Sequence, residues 1–144
     1  MYRSVLVATD GTETAAKAVA EATELAAVSG AVLHIVSVYL KRGGQELRVP
    51  EMKLEYPEGI DRGSIAANHA ESAASQAKSK GLTATTHVVQ GDPADEIIAV
   101  ATKEDVDLVV VGNKGMHGAK RILGSVPNAV AHRAPCSVLI VNTT

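Results

Sequence analysis

The sequence predicts an α/β fold built on a parallel sheet, and three observations carry that reading. Five short apolar runs rich in Val, Ile and Leu alternate with four segments whose apolar residues recur at helical spacing. The strand-like runs are continuous rather than alternating, as expected of strands covered on both faces. The hydrophobic fraction is 46%, yet Phe and Trp are absent, so the core must be built from Val, Ile, Leu and Ala. Strands separated by helices need crossover connections, which makes the sheet parallel with helices on its faces.

Each element has its own local signal. Ser4 to Ala8 is an apolar run read as the first strand, followed by the polar turn Thr9-Asp10-Gly11-Thr12. From Thr14 to Ser29, Ala15, Ala18, Val19, Ala22, Leu25 and Ala26 mark a helix that Gly30 closes. Ala31 to Tyr39 reads as strand two. The polar stretch Lys41 to Arg62, with Gly43-Gly44, Pro50, Pro57 and Gly59, has no periodicity. A loop this long is usually functional or disordered, and its residues do not separate a cover over a ligand from a plain insertion.

Ser64 to Lys80 is an Ala-rich helix ended by Gly81, and Leu82 to Val89 is strand three. Asp92-Pro93 opens the next helix, with Asp92 as cap, Pro93 in the first turn and Asp95 set against the helix dipole; it runs to about Lys103. Val106 to Val111 is strand four, Val126 to Arg133 a short helix stopped by Pro135, and Ser137 to Val141 strand five. One domain, 1–144, accounts for the chain.

Bulk properties exclude several function classes. Fourteen basic residues against sixteen acidic ones give a net charge of −2, with no electrostatic footprint for nucleic acid or an anionic membrane. Three Tyr make no platform for stacking bases. The lone Cys136 excludes an internal disulfide framework and is expected as a buried structural thiol in a reducing compartment. No signal-peptide core follows Met1-Tyr2-Arg3, and no apolar run approaches the ~18 residues of a membrane span, so a cytoplasmic protein is expected.

The chemistry is concentrated in Gly112-Asn113-Lys114-Gly115-Met116-His117-Gly118-Ala119-Lys120-Arg121-Ile122-Leu123-Gly124-Ser125. Glycines let the backbone approach a ligand, consecutive amides form an anion nest, and Gly124-Ser125 opens a helix whose free amides favour phosphate. Lys114, Lys120 and Arg121 add positive charge, although exposed charges are more often simply solvated. The segment is neither a Walker loop nor the dinucleotide fingerprint. In parallel sheets ligands bind beyond the carboxyl ends of strands, at the point where strand order reverses. The unusual turns at Asp10-Gly11 and from Gly112 onward would face each other if strands one and four were neighbours.

These features together resemble the universal stress protein family. The resemblance spans nearly the whole chain and rests on Ala8-Thr9-Asp10-Gly11, Val109-Val110-Val111-Gly112, the Gly112, Gly115 and Gly124-Ser125 loop, and Pro135-Cys136-Ser137-Val138-Leu139-Ile140-Val141. The family's nucleotide-binding branch has nine residues between the second glycine and Gly-Ser. Here there are eight, Met116 to Leu123.

The resemblance implies an open five-stranded sheet in order 3-2-1-4-5. It implies an adenine nucleotide, ATP foremost and cyclic AMP as an alternative, held by Ala8, Asp10, the backbone at Ile35, the loop residues Gly112, Asn113, Lys114, Gly115, Met116, His117, Gly118, Gly124 and Ser125, and Val126 and Pro127. Asp10 would approach the phosphates and a Mg²⁺ ion, a hard cation that favours carboxylate and phosphate oxygens. The resemblance also implies a homodimer through Ser137 to Val141.

Bland roles stand beside these. Asp10 can be a turn or cap residue and Ser125 a helix cap. His34, in an apolar strand, is expected to be packed and structural. His69, His87 and His132 are scattered without metal-ligand spacing. No acid–base constellation is visible, with only Asp10 and His117 near the phosphates, so a regulatory stress-response protein without catalysis is expected. A slow ATPase and a nucleotide-free dimeric interaction module are the alternatives.

Overall fold

The computed structural model describes residues 1–40, 61–113 and 126–143. Among these residues five strands and four helices alternate: β1 (Ser4–Ala8), α1 (Glu13–Ser29), β2 (Val32–Tyr39), α2 (Arg62–Ser79), β3 (Ala84–Gln90), α3 (Pro93–Lys103), β4 (Leu108–Gly112), α4 (Val126–Arg133) and β5 (Ser137–Val141). All pairings are parallel and the strand order is β3-β2-β1-β4-β5, the expected one. Strand order therefore reverses between β1 and β4, where Val5, Leu6 and Val7 stand beside Leu108, Val109 and Val110.

The pleat divides the core in two. Val5, Val7, Leu33, Ile35 and Val110 point to one face and pack under the alanine stripes of α1 and α2. Leu6, Val36, Val109 and Val111 point to the other, against Ile97 and Val100 of α3 and Val130 of α4. Alanine on α1 and α2 lets these helices lie close to the β-branched sheet, which is how a core without Phe or Trp reaches close packing.

Three strands begin later than the apolar runs suggest, and one backbone device explains all three. After α1, Gly30 N–H bonds to Ala27 C=O and Ala31 N–H reaches back to Ala26 C=O. After α2, Gly81 and Leu82 repeat this with Lys78 and Ala77; after α3, Asp105 and Val106 do so with Thr102 and Ala101. This is the Schellman closure, in which the residue after the left-handed position folds an apolar side chain back toward the helix. Ala31 and Val106 are buried for that reason, while still outside β2 and β4. The left-handed residue is glycine twice (φ +74° and +85°) and Asp105 once (φ +52°).

Helix starts follow the expected chemistry. Asp92 Oδ2 accepts from Asp95 N–H at 3.1 Å with Pro93 in the first turn of α3. α2 begins earlier than its periodicity suggests, at Arg62, because Asp61 caps it and accepts from Gly63 N–H at 3.0 Å. The long polar segment therefore ends before Arg62, and residues 41–60 lie outside the described residues. Among the described residues no helix is long and apolar enough to cross a membrane.

Candidate functional site

The carboxyl ends of β1 and β4 lie side by side, so the Thr9–Thr12 turn and Asn113 share the edge of the sheet at which strand order reverses. α4 runs back antiparallel to the strands, which brings its first residues, Val126 and Pro127, to the same edge. Pro127 is buried and Val126 packs on the α3–α4 side of the sheet. Proline fits the first turn because its missing N–H would have no helical partner there.

The β1–α1 turn is tightly specified. Ala8 is the last β1 residue and pairs with Val36. Thr9 N–H continues the ladder to Val36 C=O at 2.9 Å, and Thr9 Oγ1 accepts from Gly11 N–H at 3.2 Å. Asp10 is exposed, and its Oδ1 accepts from Thr12 N–H at 3.0 Å and Thr12 Oγ1–H at 2.6 Å. Thr12, not Asp10, caps α1, accepting from Ala15 N–H at 3.1 Å. Asp10 Oδ2 has no partner among the described residues.

Gly11 adopts φ +82°, and a Cβ there would stand 2.4 Å from the ring of His69 on α2. His69 thus lies over the turn beside Asp10. Sequence reading grouped it with scattered histidines, and 58 positions separate it from Gly11. Only the packing of α2 beside α1 joins them.

Gly112 ends β4, and its smallness has a packing cause. A Cβ there would meet Thr143 Cγ2 at 3.0 Å and Ala18 Cβ at 3.8 Å. Asn113 Oδ1 accepts from Thr143 N–H at 3.0 Å and Thr143 Oγ1–H at 2.9 Å, while Asn113 N–H bonds to Val141 C=O at 2.9 Å. Its side-chain oxygen is thus engaged in clipping the residues after β5 to the end of β4. The remaining loop residues of the expected site, Lys114, Gly115, Met116, His117, Gly118, Gly124 and Ser125, lie outside the described residues, as do Lys120 and Arg121.

Ile35 stands differently from its expected role at a base. It is fully buried between Val7 of β1 and Thr86 of β3, one step inside the end of β1. In a parallel ladder both peptide groups of a residue turn to one neighbour, and the next residue's turn to the other. Val36 C=O points to β1 and Tyr39 C=O points to the β3 side, toward Gly91 N–H. By that alternation Ile35 bonds toward β3. Val38, two residues after Val36, directs its peptide groups toward β1 beyond the last β1 residue. Val38 is therefore the β2 residue with backbone groups facing the crevice. Its signal is the register between β1 and β2, which no local pattern reports.

The family model described as the universal stress protein family matches residues 1–142. The chain belongs to the universal stress protein family. A universal stress protein of Mycobacterium tuberculosis is 36% identical over 146 residues, covering 99% of this chain and 98% of the relative. The Bacillus subtilis universal stress protein YxiE is 37% identical over 152 residues, covering 98% and 99%. Among solved structures, a universal stress protein in complex with cyclic AMP superposes with a TM-score of 0.74 at 34% identity, covering 99% of this chain and 98% of that one.

His34 is packed in β2 as expected, whereas His87, expected to be isolated, meets it across β2 and β3, with His34 Nδ1 and His87 Nε2 3.0 Å apart. They lie away from the β1–β4 crevice. Cys136 is half-buried, and burial, followed by the charge of Asp107, pushes its thiol above the usual value, as suits an unreactive structural thiol.

Proposed function

We propose that this universal stress protein is a regulatory protein that binds an adenine nucleotide at the β1–β4 crevice, with ATP the expected ligand. The observation that carries the reading is the convergence at one sheet edge of Asp10, the Val38 peptide groups, the start of the loop after Gly112, and the amino end of α4. An adenine edge needs one donor and one acceptor held in plane, which the N–H and C=O of one strand residue, Val38, can supply. Phosphates need the amides of a glycine loop and a helix start.

Asp10 fits Mg²⁺, which commonly takes one or two carboxylate oxygens and fills its shell with phosphate oxygens and water. Its Oδ2 would hold the ion while Oδ1 stays on Thr12. Bound there, the ion would neutralise phosphate charge.

The reading is of binding without turnover, which an assay of ATP hydrolysis by the purified protein tests. Nucleotide occupancy would act by biasing a surface that a partner reads. β5 closes one edge of the sheet and Ile140 is exposed on it, which supports pairing with a second copy across a two-fold axis.

Titration calorimetry with ATP, with and without Mg²⁺, tests the reading. Binding strengthened by Mg²⁺ and weakened by Asp10→Ala supports it, whereas no binding at millimolar nucleotide rejects it. A specific observation favours cyclic AMP as the second reading: the 34%-identical neighbour was solved with that ligand. Cyclic AMP carries one phosphate and needs no metal. Binding of cyclic AMP in preference to ATP, indifferent to Mg²⁺ and to Asp10→Ala, would select it.

A further inference from the structure

We propose that His34, His87 and Glu104 form a second ligand site, which takes a divalent ion of the zinc class on two imidazole nitrogens and one carboxylate oxygen. The three residues offer ligand atoms that all lie within 4.8 Å of one another. They come from three elements: His34 from β2, His87 from β3, and Glu104 from the carboxyl end of α3.

The topology explains the meeting. His34 and Val36 share a face of β2, and Val36 pairs with His87 in the β2–β3 register, so both rings point to the α3 side. α3 runs antiparallel to the strands, which sets its end, and Glu104, toward their amino-terminal ends. The nucleotide crevice lies beyond the ends of β1 and β4, whereas His87 stands on the outer strand β3, with β2 between it and β1.

The spacing suits metal coordination. Nitrogens bound at about 2.0–2.1 Å to one ion stand roughly 3 Å apart. His34 Nδ1 and His87 Nε2 are already 3.0 Å apart. Glu104 is half-buried, and its carboxylate offers an oxygen within 4.8 Å of both nitrogens.

Without an ion, one nitrogen of the pair donates its N–H to the other. On coordination that proton moves to the far nitrogen of the same ring, so each imidazole presents a lone pair and stays neutral. Burial lowers the pKa of both rings, for His87 together with the charges of His34 and Lys103, while the charge of Glu104 opposes the shift. Two nitrogens with one carboxylate favour zinc, cobalt, nickel or copper over magnesium or calcium. Three protein ligands leave a fourth position for water.

Bound there, an ion ties the edge strand β3 to β2 and to the end of α3. His34 is 9% exposed, so the ion sits under the helix rather than on open surface.

The test uses the full chain, free of any histidine tag and of nucleotide, titrated with zinc chloride. One equivalent is expected to bind at micromolar concentration or tighter. The melting temperature is expected to rise by about 5–10 °C at a hundredfold excess over Kd. Cobalt in place of zinc should give visible absorption bands with imidazole ligation. His34→Gln and His87→Ala should each weaken binding at least about tenfold, Glu104→Gln should also weaken it, and His132→Ala should leave it unchanged. Melting curves in chelator establish that each variant is folded; His87, on the edge strand, is the variant whose fold is least at risk. No zinc binding at micromolar concentration overturns the proposal, as does stoichiometric binding that survives both His34→Gln and His87→Ala.

Discussion

Substituting Gly11 by Ala perturbs the turn in two ways that can be measured apart. Gly11 sits at φ +82°, where an L residue costs about 1–2 kcal/mol. The added methyl would also stand 2.4 Å from the His69 ring, which must move off the turn. Overpacking of this kind costs about 1–3 kcal/mol, with the lower part of the range expected because His69 is only half-buried and can swing outward. Gly11→Ala should therefore destabilise by about 2–4 kcal/mol. At about 3 °C per kcal/mol for a chain of this length, that lowers Tm by about 6–12 °C.

The steric part depends on the ring and the conformational part does not. In a His69→Ala background the same substitution should cost only about 1–2 kcal/mol, leaving a coupling of about 1–2 kcal/mol. Urea denaturation of wild type, both single variants and the double variant closes the cycle. Equal cost of Gly11→Ala in both backgrounds would refute the claim that His69 packs on this turn. Native Tm for Gly11→Ala would refute the left-handed assignment as well.

Other outcomes follow from the same geometry. Asp105→Gly should stabilise the protein by about 0.5–1 kcal/mol, since Asp105 holds φ +52° in the Schellman closure after α3, and a higher urea midpoint reports it. Leu33→Ala, at a fully buried site, should cost about 2–5 kcal/mol and lower Tm accordingly. Asp107 has a partly desolvated carboxylate, which alone would raise its pKa, but its bonds from Arg3 N–H at 2.9 Å and Ser4 N–H at 3.1 Å outweigh this and hold the value below the usual 3.8. The unfolded chain therefore binds the proton first on acidification. The stabilisation is fully present above about pH 4 and lost as pH falls through the lower folded value. Asp107→Ala should remove that part of the acid-side decline and cost about 1 kcal/mol at neutral pH, discounted for exposure, as stability curves against pH will register.

The sequence by itself determined the class, the order of elements and most helix ends. Those signals are local: a continuous Val/Ile/Leu run, an alanine stripe at helical spacing, Asp92-Pro93 at a helix start, Gly30 and Gly81 at helix ends. Strand starts were less legible, because Ala31, Leu82 and Val106 are apolar through closing the preceding helix rather than through entering the sheet. Family resemblance supplied the strand order, since local pattern cannot tell which strands sit side by side.

Tertiary structure alone decided what meets what. The place of Ile35 inside the sheet and of Val38 at its open edge follows from the offset between β1 and β2, a property of two strands. His69 over Gly11, Asn113 clipped to Thr143, and the pairing of His34 with His87 join residues 30 to 58 positions apart. Each pair forms because parallel crossovers return the chain to the same sheet edge or face. A helix end is written in a few adjacent residues, whereas a site is written in the distances between elements, and those exist only once the sheet has assembled.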